Sequence, residues 1–115
     1  MGIRSAFVLC IFSCAPVAGA ADVYGICEGD GWSLNLSGLQ AEFVFPSPTR
    51  MDIPSIVDAE NGAWPKALTL IGERDTGILV LHDRVCEGGT HEAQMLTQRG
   101  QTPSLLTGCC RDVRE

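Results

Sequence analysis

The chain has 115 residues, 45% of them hydrophobic but only 6% aromatic, and a formal net charge of −6 at neutral pH. An acidic balance with no Lys/Arg cluster argues against nucleic-acid binding, where phosphate neutralisation dominates affinity, and disfavours anionic membrane surfaces. The length holds one domain and not two.

Residues 1–20 read as an export signal. Arg4 supplies the positive start, 5–17 is almost wholly apolar, and Ala18-Gly19-Ala20 offers small residues where a signal peptidase cuts. The apolar run is shorter than the roughly 20 residues a membrane span needs, and Pro16 interrupts it. Cleavage after Ala20 leaves residues 21–115 as one exported domain, periplasmic or secreted, with no integral membrane span. Loss of Arg4 brings its net charge to −7. The alternative is a lipoprotein signal ending at Cys14, which would leave the domain lipid-anchored, although bulky Phe12 stands where a small residue is usual.

Beyond the signal no window sustains a helical apolar stripe, whereas short strand patterns recur. Trp32, Leu34 and Leu36 alternate with Ser33, Asn35 and Ser37, then Ser37-Gly38 marks a turn, so 32–45 reads as a hairpin. Pro46, Pro48, Pro54, Asn61-Gly62 and Pro65 make 46–65 a long irregular loop, with room for a short strand at 51–57. Segments 66–71 and 77–81 flank the polar turn 72–76, the clearest hairpin in the chain. Apolar residues on both faces of 77–81 suggest a central strand. After the Gly-rich stretch 86–90, segment 91–98 reads as a strand, 99–103 as a turn and 104–111 as the closing strand. The expected fold is all-β: a small antiparallel barrel or sandwich of five to seven strands.

Of six cysteines, Cys10 and Cys14 leave with the signal, and Cys27, Cys86, Cys109 and Cys110 remain. An even number in a small exported domain implies disulfides. Adjacent strand residues point to opposite faces, so Cys109 and Cys110 should reach different partners. Cys86–Cys109 with Cys27–Cys110 is preferred, and the crossed pairing stays open. A four-cysteine zinc site would want C-x-x-C pairs, which the chain lacks.

Cys27-Glu28-Gly29-Asp30-Gly31-Trp32-Ser33-Leu34, Cys86-Glu87-Gly88-Gly89 and Thr107-Gly108-Cys109-Cys110 together resemble a family of uncharacterised exported bacterial proteins, often labelled lipoproteins or membrane proteins. Its members carry a G-N-E-P-F-W-S-L-like segment, a C-x-D-G-M-S-like loop and a terminal G-C-C. Trp32-Ser33-Leu34 fits the first motif without its Glu-Pro-Phe, Cys86 and Gly89 fit the second, and Gly108-Cys109-Cys110 fits the third. The resemblance implies the cysteine framework and no established activity. A looser one, resting on the opening from Tyr24 to Cys27 and the general layout, is to small periplasmic lysozyme inhibitors, and it is one of fold alone.

Chemistry-bearing patterns are sparse. His82-Asp83 and His91-Glu92 are the only histidine–acid neighbours, and a strand points the members of each pair to opposite faces. There is no G-x-S-x-G elbow, no strand–Gly-loop–helix unit for phosphate and no D-x-D-x-D-G ladder for calcium. No catalytic, cofactor or metal residue is therefore assigned. Asp30 and Trp32 beside the acidic glycine turn, and Trp64 in the Pro-rich loop, are candidate binding-surface residues, with core packing the competing role for each tryptophan. The expected function is non-catalytic binding of a protein or envelope component. The alternatives are a lysozyme-inhibitor-like protein, or a small hydrolase or metal-dependent enzyme using His82 or His91.

Overall fold

The computed structural model describes residues 22–99 and 101–115. The export signal, with Cys10 and Cys14, lies outside the described residues. Eight strands follow one another in sequence, each antiparallel to the last, and β8 pairs with β1 to close a barrel. They are β1 Val23–Gly29, β2 Trp32–Gly38, β3 Gln40–Val44, β4 Pro48–Asp58, β5 Lys66–Ile71, β6 Asp75–His82, β7 His91–Arg99 and β8 Thr102–Arg114. An up-and-down order puts the β1–β2, β3–β4, β5–β6 and β7–β8 turns at one end. The β2–β3, β4–β5 and β6–β7 connections lie at the other.

Alternation decides what points inward. Trp32, Leu34 and Leu36 of β2 are buried while Asn35 and Ser37 are exposed, and Phe43, Met51, Leu68, Leu70, Leu79, Leu81 and Met95 complete the interior. Side chains fill the lumen, as eight strands allow, except for a cavity of about 110 Å³ at the end away from Trp32, lined by Val23, Ile56, Trp64, Leu68, Leu81 and Val113. Met95 takes up the room that Gly77 leaves: a Cβ on Gly77 would come 2.7 Å from its Cε. The apolar interior is the reverse of the polar lumen of a transmembrane barrel.

Three expectations need correction. The strands number eight, not five to seven, because β1 carries two glycines that mask its alternation. Most of the supposed irregular loop 46–65 is β4, an 11-residue strand. Its prolines occupy the positions a strand tolerates: Pro48 is its first residue, and Pro54 falls where the β4–β5 register shifts between Asp52 and Ser55. Finally, β6 is apolar on both faces without being central to an open sheet. Leu79 and Leu81 point into the barrel, and Ile78 on the outer face is 44% exposed.

The disulfides pair as preferred. Cys27–Cys110 joins residues directly opposite each other on β1 and β8, and both are buried. Cys86–Cys109 ties the β6–β7 connection to β8. Adjacent Cys109 and Cys110 reach different partners because β8 turns one outward and the other inward.

Candidate binding surfaces

The structure places Asp30 and Trp64 at opposite ends of the barrel, so they form no single surface. Asp30 is exposed at the tip of the β1–β2 turn, where Gly31 takes a φ of +84° that suits glycine. Trp32, two residues on, is only 5% exposed. Its indole lies over the paired Gly29 and Gly108, meets Phe43 edge-on at 6.3 Å, and donates its N–H to the Thr107 carbonyl at 3.0 Å. Trp32 is therefore a core anchor that closes this end of the lumen and is not part of a binding surface.

Trp64 is half-buried in the β4–β5 connection and packs against the core. Its ring stacks on His91 at 4.7 Å, and Lys66 Nζ lies 4.9 Å from its centre. His91 also meets Thr90 Oγ1 through Nδ1 at 2.8 Å and Asp83 Oδ1 through Nε2 at 3.7 Å. The acid beside His91 is thus Asp83 and not its sequence neighbour Glu92, which pairs with Arg84. The β6–β7 connection brings residues eight apart together, a contact no local spacing rule would show. His82 meets Gln94 at 3.3 Å. Among the described residues, no three His, Cys, Asp or Glu side chains converge in a way that would hold a metal.

Lys66, the chain's only lysine, bridges Asp58 at 2.8 Å and Glu115 at 3.2 Å. The hydrogen bond it donates to Asp58 raises its pKa above the ordinary value and Glu115 adds to this, against a lowering by desolvation. A raised folded-state pKa gives stability that is fully present below the unfolded value of about 10.4 and lost as pH climbs through the folded one. The gap in unfolding free energy between the wild type and Lys66→Met should therefore stay level up to about pH 10 and shrink above it. Urea titrations across that range check this, and a gap that stays constant into strong alkali would refute the linkage.

At the Trp32 end an open groove is lined by Arg50, Arg74 and Arg99. Asp52, Glu73 and Asp75 line it too, so the formal charges cancel. Asp75, itself buried, pairs with Arg99 at 3.3 Å.

The most unusual surface is on the outer wall. Register places Ile78 of β6 opposite Leu96 of β7, and Leu96 opposite Leu105 of β8. These three form one row across three strands and are 44%, 50% and 64% exposed. The rows on either side, Val80–Gln94–Thr107 and Thr76–Gln98–Pro103, carry no charge. Residues 76–81, 93–98 and 102–110 contain no Asp, Glu, Lys or Arg at all. The outer positions of β2, by contrast, are Ser33, Asn35 and Ser37. The sequence signal for the ladder was present in the two-faced apolar pattern of 77–81, which suits a covered strand.

Comparison with known proteins finds no matching family model, no matching curated protein and no matching solved structure.

Proposed function

We propose that this chain is an exported, non-catalytic binding domain, working in the periplasm or outside the cell, that grips a protein partner through the outer wall of β6–β8. The observation that carries this reading is the uncharged Ile78–Leu96–Leu105 ladder on a chain otherwise rich in acid. Contiguous exposed apolar surface is uncommon on a monomer and marks contact sites. A lumen packed with side chains but for a cavity of about 110 Å³, too small for a drug-sized ligand, supports the same reading, because it leaves the outside as the place for recognition. Two disulfides keep the wall rigid, so little ordering entropy is lost on binding. They also suit an oxidising compartment. The acidity steers the domain toward a basic partner, and a cell-wall hydrolase is one such class.

The test uses the oxidised domain recovered from its native compartment, identified by intact mass as residues 21–115 with two disulfides. It is immobilised beside its Leu105→Glu variant and exposed to envelope extract. A partner held by wild type should be retained at least tenfold less by the variant, since a charge buried without a mate costs several kcal/mol. Equal recovery on both surfaces would remove the ladder from the reading.

A further inference from the structure

We propose that the ladder also receives a second copy of this chain, giving a weak two-fold dimer centred on Leu96. This rests on reading the wall as a docking face and adds a specific occupant.

Symmetry is the first argument. Leu96 stands mid-row, with Ile78 on one side and Leu105 on the other. A two-fold axis parallel to β7 sets Leu96 against Leu96 of the second copy and each Ile78 against a Leu105. An axis across the strands also sets Leu96 on Leu96, and then matches Ile78 with Ile78. Both arrangements are isologous and self-complementary, as a closed dimer requires. In the parallel case Gln94 and Gln98 face their own counterparts, and in the crossed case they face each other. Either way their amides can donate and accept across the seam.

Charge is the second argument. Two copies of a domain carrying −7 repel, so they should meet where neither presents a charge. The middles of β6, β7 and β8 meet that condition. The nearest charged groups on these strands are Arg99 and the Asp75 it pairs with on one side of the row, and Glu92 on the other.

Area sets the strength. A patch of this kind offers on the order of 300–600 Å², against roughly 800 Å² per partner in a standard interface. A barrel wall is also convex. The dimer should therefore be weak, with Kd on the order of 100 µM, and easily displaced by a partner shaped to the wall.

Sedimentation velocity of the oxidised domain from about 5 to 500 µM reads the equilibrium directly, and should show the sedimentation coefficient rising with concentration. Leu96→Glu and Leu96→Lys should each weaken self-association at least tenfold, while an equal mixture of the two should recover it, because the axis brings position 96 onto itself. Circular dichroism and thiol counts confirm that each variant folds. If either does not, Leu105→Glu alone takes its place and should weaken self-association by a similar factor, since Leu105 lies in the interface under both axes. A wild-type protein that stays monomeric at 500 µM, or a charge-swapped mixture no more associated than its components, would overturn the dimer. Neither result touches the foreign-partner reading, which fails only if capture ignores Leu105→Glu.

Discussion

Replacing Cys27 and Cys110 together by alanine should bring the domain close to the edge of folding. The two residues are 83 apart in sequence, and closing a loop of that length is worth about 4.5 kcal/mol in the entropic account of disulfides. Net stabilities of single domains run from about 5 to 15 kcal/mol, and a 95-residue domain falls toward the lower end. The bond also stands at a particular place. Every other neighbouring pair of strands is joined by a short connection, but β1 and β8 meet only at the seam that closes the barrel. Without the bond, that seam depends on its ladder hydrogen bonds and on the exposed Arg111–Glu28 pair, which contributes little. Removing Cys86 and Cys109 should cost less. Their separation is 23, worth about 3.5 kcal/mol by the same account, and the chain they release is a surface connection. Urea unfolding should rank the double variants in that order, and hydrogen exchange should show β1 and the end of β8 opening first when the seam bond is gone. If the Cys86–Cys109 pair proved the more costly to lose, the seam would not be the weak line of the fold.

Much of this architecture can be read from the residues alone, and the failures have causes. The β2–β3 and β5–β6 hairpins announce themselves because one face of each strand is apolar and the turns carry glycine. That Cys109 and Cys110 take different partners follows from a single rule, that neighbours on a strand face opposite ways, but which takes Cys27 is fixed only by the β1–β8 register. β1 escapes notice because Gly25 and Gly29 stand where the inward pattern wants side chains: Val113 approaches the Gly25 position, and Trp32 covers Gly29. β4 is hidden by its prolines, which read as loop until the register shift at residues 52–55 shows where Pro54 is tolerated. The end of β8 has a similar irregularity. Asp112 adopts a φ of +57° where the β1–β8 register shifts, which returns Val113 to the inner face. The ladder is harder still. Ile78, Leu96 and Leu105 are 18 and nine residues apart, and only the register of three strands lines them up. Trp32 illustrates the converse: beside an acidic glycine turn it looks like a recognition residue, and only the facing glycines show that it is enclosed.

That enclosure leads to the second large effect. Gly108→Ala should cost about 3 kcal/mol or more, at the upper end of what overpacking usually does. A Cβ there would collide with the Glu28 carbonyl oxygen and come 2.7 Å from Trp32 Cζ2. The indole can yield by tilting, but the carbonyl belongs to β1 and moves only if the pairing beside the seam disulfide is disturbed. Gly31→Ala is the informative comparison. Gly31 has nothing within 4 Å and a φ of +84°, so alanine there meets only conformational strain, about 1–2 kcal/mol. Adding Trp32→Phe to Gly108→Ala should return part of the loss and none of the carbonyl clash, so the two changes should couple by about 1 kcal/mol in a double-mutant cycle. Trp32 emission should shift to longer wavelength in Gly108→Ala and stay put in Gly31→Ala. Should Gly108→Ala unfold at the same urea concentration as wild type with unchanged emission, Trp32 would not be wedged between β1 and β8. The lumen would then be open at that end, and the case for placing recognition on the outer wall would lose its footing.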